Sequence, residues 1–315
     1  MKDRGKSVMS ITSFIDNNYI YIRNFIKKDY EALAEDIKKE KDELSCYVEK
    51  DELLVGYKIV RNNPISELYG FDCYVVRFYF SNVTTLYNKE QRELYEELLK
   101  RLKEEMENSA GYYNLRIPTH MVDMIKALNT VLKETIFCGG TVEEFIYNKR
   151  VEDNNKNQLD IFEAGQKYIV RNKDILLNMT YDSFASYQGQ YHISDVTQYQ
   201  AGKIYENWIK NSLNGATKDK IIVAEYEEKP IGFVTIDEDD FAVEGILSAV
   251  SGEKRRLGAY KAMISYIINY AYSKGKAFIT STQFDNFIVQ GTWNSLGLRP
   301  FYSVYNVHLD CRNKG

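Results

Sequence analysis

Lys254, Arg255 and Arg256 stand just before Gly258, at the head of an apolar-striped segment that runs to Tyr272. The residues before them, Leu247 to Val250, read as a strand. The order is therefore strand, basic glycine-containing turn, helix. Such a turn gathers free backbone N–H groups, the positive end of a helix dipole and cationic side chains, and all three attract phosphate. The helix rests on spacing: Ala259, Met263, Ile267 and Ala271 recur every four residues, with Ile264 and Ile268 widening the face. The expected ligand carries phosphate. The plainer reading is a glycine that only shapes the chain beside a solvated basic run.

Other residues have side chains suited to chemistry. Glu244, three positions before Leu247, could take a proton from an ammonium group through water, or be a surface residue of an alternating strand. His192 is a candidate acceptor-site residue or an ordinary hydrogen-bonded histidine.

The spacing Arg255-x-x-Gly258-x-Tyr260 resembles the acyl-CoA pyrophosphate loop of the GNAT acetyltransferase superfamily, whose pattern ends in Gly or Ala where this chain has Tyr260. Downstream, Ala277 to Thr282, then Asn286, then Leu296-Gly297-Leu298 are similar to its later strand, asparagine and Leu-Gly-Phe signature. Upstream, Ile221–Tyr226, a charged turn and Ile231–Ile236 look like its second and third strands. The resemblance covers roughly Lys167 to Leu309.

It implies an acetyl-CoA-dependent N-acetyltransferase acting on an amine. Leu247, Ser248, Ala249 and Val250 would line the pantetheine arm. Arg255, Arg256, Leu257, Gly258, Ala259 and Tyr260 would cradle the pyrophosphate, and Asn286 would touch the cofactor. Trp293 stands where many members carry a general-acid tyrosine, and indole N–H is not a practical proton donor to a thiolate. The proton would then come from water, Tyr302, Tyr305 or His308, and Trp293 is either a cofactor contact or helix packing. A narrower similarity, through Tyr191–Asp195, Tyr205–Ser212, Asn286–Gln290, Trp293 and Tyr305–His308, is to dTDP-fucosamine N-acetyltransferase-type enzymes. It implies a nucleotide-activated amino-deoxy sugar as acceptor. Another small amine, a peptide, or a non-catalytic acyl-CoA-binding role stay open.

The remaining sequence must position these residues. At 315 residues two domains are expected. The polar run Val151 to Gln158 reads as the linker, giving domains at 1–155 and 160–315. Both halves read as α/β, with a mixed sheet of the acetyltransferase type in the second. Before the linker, Phe71–Val83 reads as strand, Asn88 as the cap of a helix striped by Leu94, Leu98, Leu102 and Met106, Tyr112–Ile117 as strand, Met121–Leu132 as helix and Glu144–Tyr147 as strand. This alternation mirrors the end of the second half. The N-terminal domain thus reads either as a degenerate copy of the acetyltransferase fold, lacking the phosphate loop, or as an unrelated α/β domain. In the second half Lys167–Arg171 reads as the first strand, with a helix from Asp174. Asp29 to Glu43 reads as a charged helical stretch.

Composition removes several classes. A net charge of -4 gives no support to a nucleic-acid partner. No apolar run approaches the ~20 residues that span a bilayer, and no signal peptide is visible, so the expected location is cytoplasmic. Four scattered cysteines and three histidines show no metal-ligand spacing, so no metal is expected.

Overall fold

The computed structural model describes residues 44–312 apart from 52, 82–87, 120, 153–154, 156–158, 186–188, 194–200 and 218. The helical stretch read at Asp29 to Glu43 lies outside the described residues. The chain forms two compact units, one of residues 1–140 with 303–315, the other of residues 141–302.

In the first unit, β1 (Cys46–Lys50) and β2 (Leu53–Arg61) are followed by α1 (Asn63–Tyr69), β3 (Cys73–Ser81), α2 (Lys89–Asn108), β4 (Tyr112–Pro118) and α3 (Val122–Val131). Its strands run in the order β1, β2, β3, β4, then the chain's last strand, β11 (Arg299–Asp310). The β3–β4 pair is parallel and the others are antiparallel. Leu94, Tyr95, Leu98, Leu99, Leu102 and Met106 form the buried stripe of α2, as an i, i+4 pattern demands. Asn88 caps that helix, its Oδ1 accepting from Glu90 N and Gln91 N.

The second unit takes in the end of β5 (Ile136–Ile146), then β6 (Asp160–Glu163), α4 (Gln166–Phe184), α5 (Gln190–Ile193), α6 (Ala201–Leu213), β7 (Lys220–Tyr226), β8 (Lys229–Glu238) and β9 (Ala242–Val250). A 3₁₀ turn, Gly252–Leu257, leads into α7 (Ala259–Ser273), β10 (Ala277–Gln283) and α8 (Phe287–Leu296). Strand order is β6, β7, β8, β9, β10, β5, with β9–β10 parallel and every other pair antiparallel. Alternation along the strands builds a core on each face. Ile222, Ala224, Val234, Val243 and Phe278 meet α7 and α8 through Met263, Ile267, Trp293 and Leu296. On the other face Ile221, Val223, Phe233, Leu247 and Ala249 meet α4 and α6 through Leu176, Met179, Tyr205 and Ile209.

The two units share one topology. Each has antiparallel strands, a helix crossing to a parallel strand, a further helix, and an antiparallel strand on the far edge of that parallel strand. The strand filling this last place is the one that sequence order gives to the other half. Residues 141–146 follow α3 yet pair with β10, and residues 304–310 follow α8 yet pair with β4. The compact units therefore divide at other residues than the polar run around Val151.

One sequence expectation is overturned. Lys167–Arg171 is the first turn and a half of α4, not a strand, and the helix starts at Gln166 rather than Asp174. Ile169, Asn172, Leu176, Met179 and Thr180 are its buried positions, and their helical spacing outweighs the short β-branched pair Ile169-Val170. The first strand after the linker is β6, seven residues earlier in the chain than Lys167.

Candidate cofactor and acyl-transfer site

The β9–β10 ladder starts at Ala242 and Ala277 and stops at Gly245 and Thr280. Both strands continue, β9 to Val250 and β10 to Gln283. Two parallel strands that cease to pair leave a wedge whose backbone groups are open to a ligand. On its other edge β9 stays paired with β8, with a register shift between Thr235 and Ile236. There the buried Thr235 hydroxyl accepts from Leu247 N at 3.1 Å. The irregularity re-aims β9 beyond the fork: Leu247 and Ala249 enter the α4–α6 core, while Val250 packs on the α7 side.

The turn at the end of β9 is held by two backbone bonds, Ser251 N to Ile231 O at 2.8 Å and Lys254 N to Ser251 O at 3.0 Å. None of its residues is buried. Gly258 closes it at φ 75°, and a Cβ there would meet nothing within 4 Å. That backbone region is costly for other L-residues, so Gly258 makes the sharp entry into α7 and leaves clear space in front of it. The N–H of Ala262 bonds Gly258 O at 3.0 Å, leaving the N–H groups of Ala259, Tyr260 and Lys261 at the helix mouth with no side-chain cap. The corresponding α2 mouth is closed by Asn88 and carries Glu90 in its first turn. An anion is accommodated at the first mouth and opposed at the second. Lys254 lies over the Tyr226 ring at 5.3 Å. Arg255 and Arg256 are exposed and pair with no carboxylate among the described residues.

Behind the turn, Tyr260 reaches back to the sheet. Its hydroxyl accepts from Trp293 Nε1 at 2.9 Å. Burial pushes the phenol's pKa up, although hydrogen bonds from Trp293 and Ser248 act the other way. Trp293 itself is 1% exposed and belongs to the α7–α8 core. The indole thus packs and holds a phenol in place rather than lining a ligand groove. Asn286 caps α8, its Oδ1 accepting from Val289 N at 3.4 Å and its Nδ2 donating to Thr282 Oγ1 at 3.0 Å.

Four of the other sequence candidates take no part in these contacts. His308 is in the first unit, 1% exposed, its Nδ1 2.7 Å from Tyr112 Oη. Burial lowers its pKa to about 4, so it is neutral at pH 7. Tyr305 also belongs to that unit, opposite Ile117 on β4. Glu244 is one rung before the fork, paired with Ile279 and Asp237, and by alternation it faces away from the side chain side of Gly245. His192 lies in the short α5, its Nε2 3.3 Å from Ala185 O, and joins that turn to the end of α4. The sequence reading missed Glu144. This carboxylate is 3% exposed, and burial raises its pKa. Two successive glutamates in a strand read as solvated; only the pairing of β5 with β10 shows them inside.

Fold and site together define a mixed-sheet α/β domain with a forked pair of parallel strands and an anion-ready helix mouth. Residues 179–298 match the family model described as Acetyltransferase (GNAT) family. Proteins of this superfamily are generally acyl-CoA-dependent N-acetyltransferases. Among solved structures, the chain is similar to a GCN5-related N-acetyltransferase from Sphaerobacter thermophilus (TM-score 0.57, 8% identity, 93% of this chain and 90% of that one). It is also similar to a functionally unknown conserved protein from Staphylococcus epidermidis (0.52, 15%, 84% and 94%) and to a GCN5-related N-acetyltransferase from Kribbella flavida (0.50, 9%, 87% and 94%). At such identities the likeness concerns the fold, and it extends into the N-terminal half. No curated protein matches the sequence. Among the described residues no helix is long and apolar enough to cross a membrane, and no cluster of three or more His, Cys, Asp or Glu is arranged to hold a metal ion.

Proposed function

We propose that this protein transfers an acetyl group from acetyl-CoA to a primary amine. The observation that carries the reading is the uncapped mouth of α7, placed directly after the β9–β10 fork and flanked by the unpaired guanidinium groups of Arg255 and Arg256. The residues present fit a diphosphate: three N–H groups, two cations and the clear space at Gly258. Arg255 and Arg256, with the backbone from Leu257 to Tyr260, would hold the diphosphate, and Leu247 to Val250 would present backbone groups to the pantetheine arm. Acetyl-CoA supplies an activated thioester. The protein contributes position, which can lower a barrier by ~7–11 kcal/mol in favourable cases.

Tyr260 serves as proton donor to the departing thiolate. The indole N–H is a donor only, so the bond from Trp293 uses a lone pair of the phenol and leaves its O–H for another partner. The proton source thereby moves from α8, where the family's tyrosine would stand, to the start of α7. Tyr305 and His308 are not needed for this role, and Glu244 and His192 are kept for the acceptor side. The nucleotide-activated amino sugar is the first acceptor to screen, on the sequence resemblance alone; other small amines and peptides follow.

The test is a screen of nucleotide amino sugars and simple amines, with free thiol release as readout and mass spectrometry of the acetylated product. Turnover with any amine supports transfer. Acetyl-CoA binding with no turnover across the panel would make the protein an acyl-CoA-binding module instead.

A further inference from the structure

Glu144 lies on β5, outside residues 179–298 and before them in the chain. It stands opposite Thr280, and Thr280 stands opposite Gly245. That row is the last rung of the β9–β10 ladder, so Glu144 is level with the fork. The rung faces the α7–α8 side. Ile146, two residues along β5, and Phe278, two residues along β10, both belong to that core. Gly245 lets the neighbouring side chains close over this rung: a Cβ there would sit 3.1 Å from Thr280 Oγ1 and 3.4 Å from the Phe278 ring.

A carboxylate in such a place is expensive unless it is paired. Glu144 is 3% exposed, and its Oε2 has no hydrogen-bond partner. Among the described residues it makes no ion pair, whereas Glu238 in the same unit is bonded by Lys220, Tyr270 and Lys276. From α7 the titratable group that faces Glu144 is the Tyr260 phenol. α8 contributes the apolar Leu296 and the indole of Trp293 to the core on that face, and from β10 the residue opposite is the neutral Thr280. Glu143, its neighbour on β5, points to the opposite face by alternation. A cost of this kind is retained where a ligand supplies the missing partner.

Resting on the acetyl-transfer reading above, we propose that Glu144 is the residue that binds the acceptor's ammonium group at the fork and takes its proton. The carboxylate accepts one proton from R–NH₃⁺, giving R–NH₂. The freed lone pair forms the C–N bond to the acetyl carbonyl carbon, and the C–S bond breaks with its electron pair passing to sulfur. Tyr260 gives its proton to that sulfur and is reprotonated from the nitrogen through solvent, and the proton on Glu144 returns to bulk water. The net yield is amide, free thiol and one proton. A carboxyl group whose pKa is raised toward neutrality by burial is the better base for this task. The acetyltransferase unit would thus owe its base to a strand that belongs, in sequence, to the other half of the chain.

The test uses the full-length chain and Glu144→Gln. Acetyl-CoA binding, read by calorimetry, is expected to be unchanged within about threefold. Turnover of a primary amine that works with wild type is expected to fall about 10²–10⁴-fold, the usual worth of a general base. Hydroxylamine, already neutral at pH 7, should lose less than about tenfold. Because the buried charge is removed, the variant should melt above the wild-type temperature at pH 8, with the difference vanishing near pH 4. Equal rates with both nucleophiles, equal loss with both, or identical melting at every pH would overturn the assignment. No acetyl-CoA heat with wild type would instead overturn the transfer reading, so the two failures are distinguishable.

Discussion

The bond from Trp293 Nε1 to Tyr260 Oη can be weighed by a double-mutant cycle. Trp293→Phe removes a donor and part of a ring that is 1% exposed. The hydrogen bond is worth about 1 kcal/mol net, and the lost volume adds ~1–2 kcal/mol at roughly 24 cal/mol per Å³ of residual cavity. The expected destabilisation is about 2–3 kcal/mol. Tyr260→Phe keeps the packing but strands the indole N–H in the core, at a cost of ~1–3 kcal/mol. The double variant loses the bond only once and strands nothing, so it should be less destabilised than the sum by about 1–2 kcal/mol. Urea unfolding followed by far-UV circular dichroism is the assay, since Trp293 is one of two tryptophans and its removal changes fluorescence. A cycle that is additive within ~0.3 kcal/mol would refute the bond, and with it the argument that Trp293 holds Tyr260 in place. The same variants should separate in kinetics. Tyr260→Phe is expected to lower kcat about 10²-fold with acetyl-CoA affinity nearly unchanged, and Trp293→Phe should lower it less.

Gly258→Ala forces a Cβ into the left-handed region and should cost ~1–2 kcal/mol in thermal or urea unfolding, while Gly291→Ala, inside α8 with nothing within 4 Å, should be neutral or stabilising. Asn88→Ala should cost about 1 kcal/mol through loss of the α2 cap, with no effect on acetyl-CoA binding. His308 has a folded pKa of about 4, below the ordinary 6.5. The unfolded chain therefore binds the extra proton first, and stability falls as pH drops from about 6.5 to 4, by up to ~3 kcal/mol. His308→Phe should flatten that part of the stability–pH curve. Glu238 has the opposite behaviour in origin: burial alone would raise its pKa, but bonds from Lys276, Tyr270 and Lys220 bring it down to about 2. Its contribution is present above pH ~4.5 and lost as pH falls toward 2, so Glu238→Gln should reduce stability at pH 7 and leave it nearly unchanged at pH 2.

Much of the fold around the candidate site is legible in the sequence because its determinants are local. The fourfold spacing of Ala259, Met263, Ile267 and Ala271, the Asn88 cap and the strand Ala277–Thr282 each act within a few residues. The Lys167–Arg171 error arose from the opposite situation, where a short β-branched pair sits inside a longer helical period. Non-local pairing is invisible at this level. Nothing around Glu144 tells that β5 leaves the helix it follows to join β10, and nothing around His308 tells that β11 joins β4. Those two pairings decide which glutamate is buried level with the fork and that His308 belongs to the other compact unit. The Trp293–Tyr260 hydrogen bond is invisible in the sequence for a related reason: residues 260 and 293 are brought together only by the packing of α7 on α8.

The central claim is that a diphosphate-bearing acyl carrier docks at the mouth of α7. Titration calorimetry of the wild-type chain with acetyl-CoA, repeated with Arg255→Glu, tests it directly. Losing one charge-assisted bond of ~1.5–3 kcal/mol and adding a screened repulsion should weaken binding roughly 60-fold. No heat with the wild type, or the same affinity in both proteins, would contradict the claim.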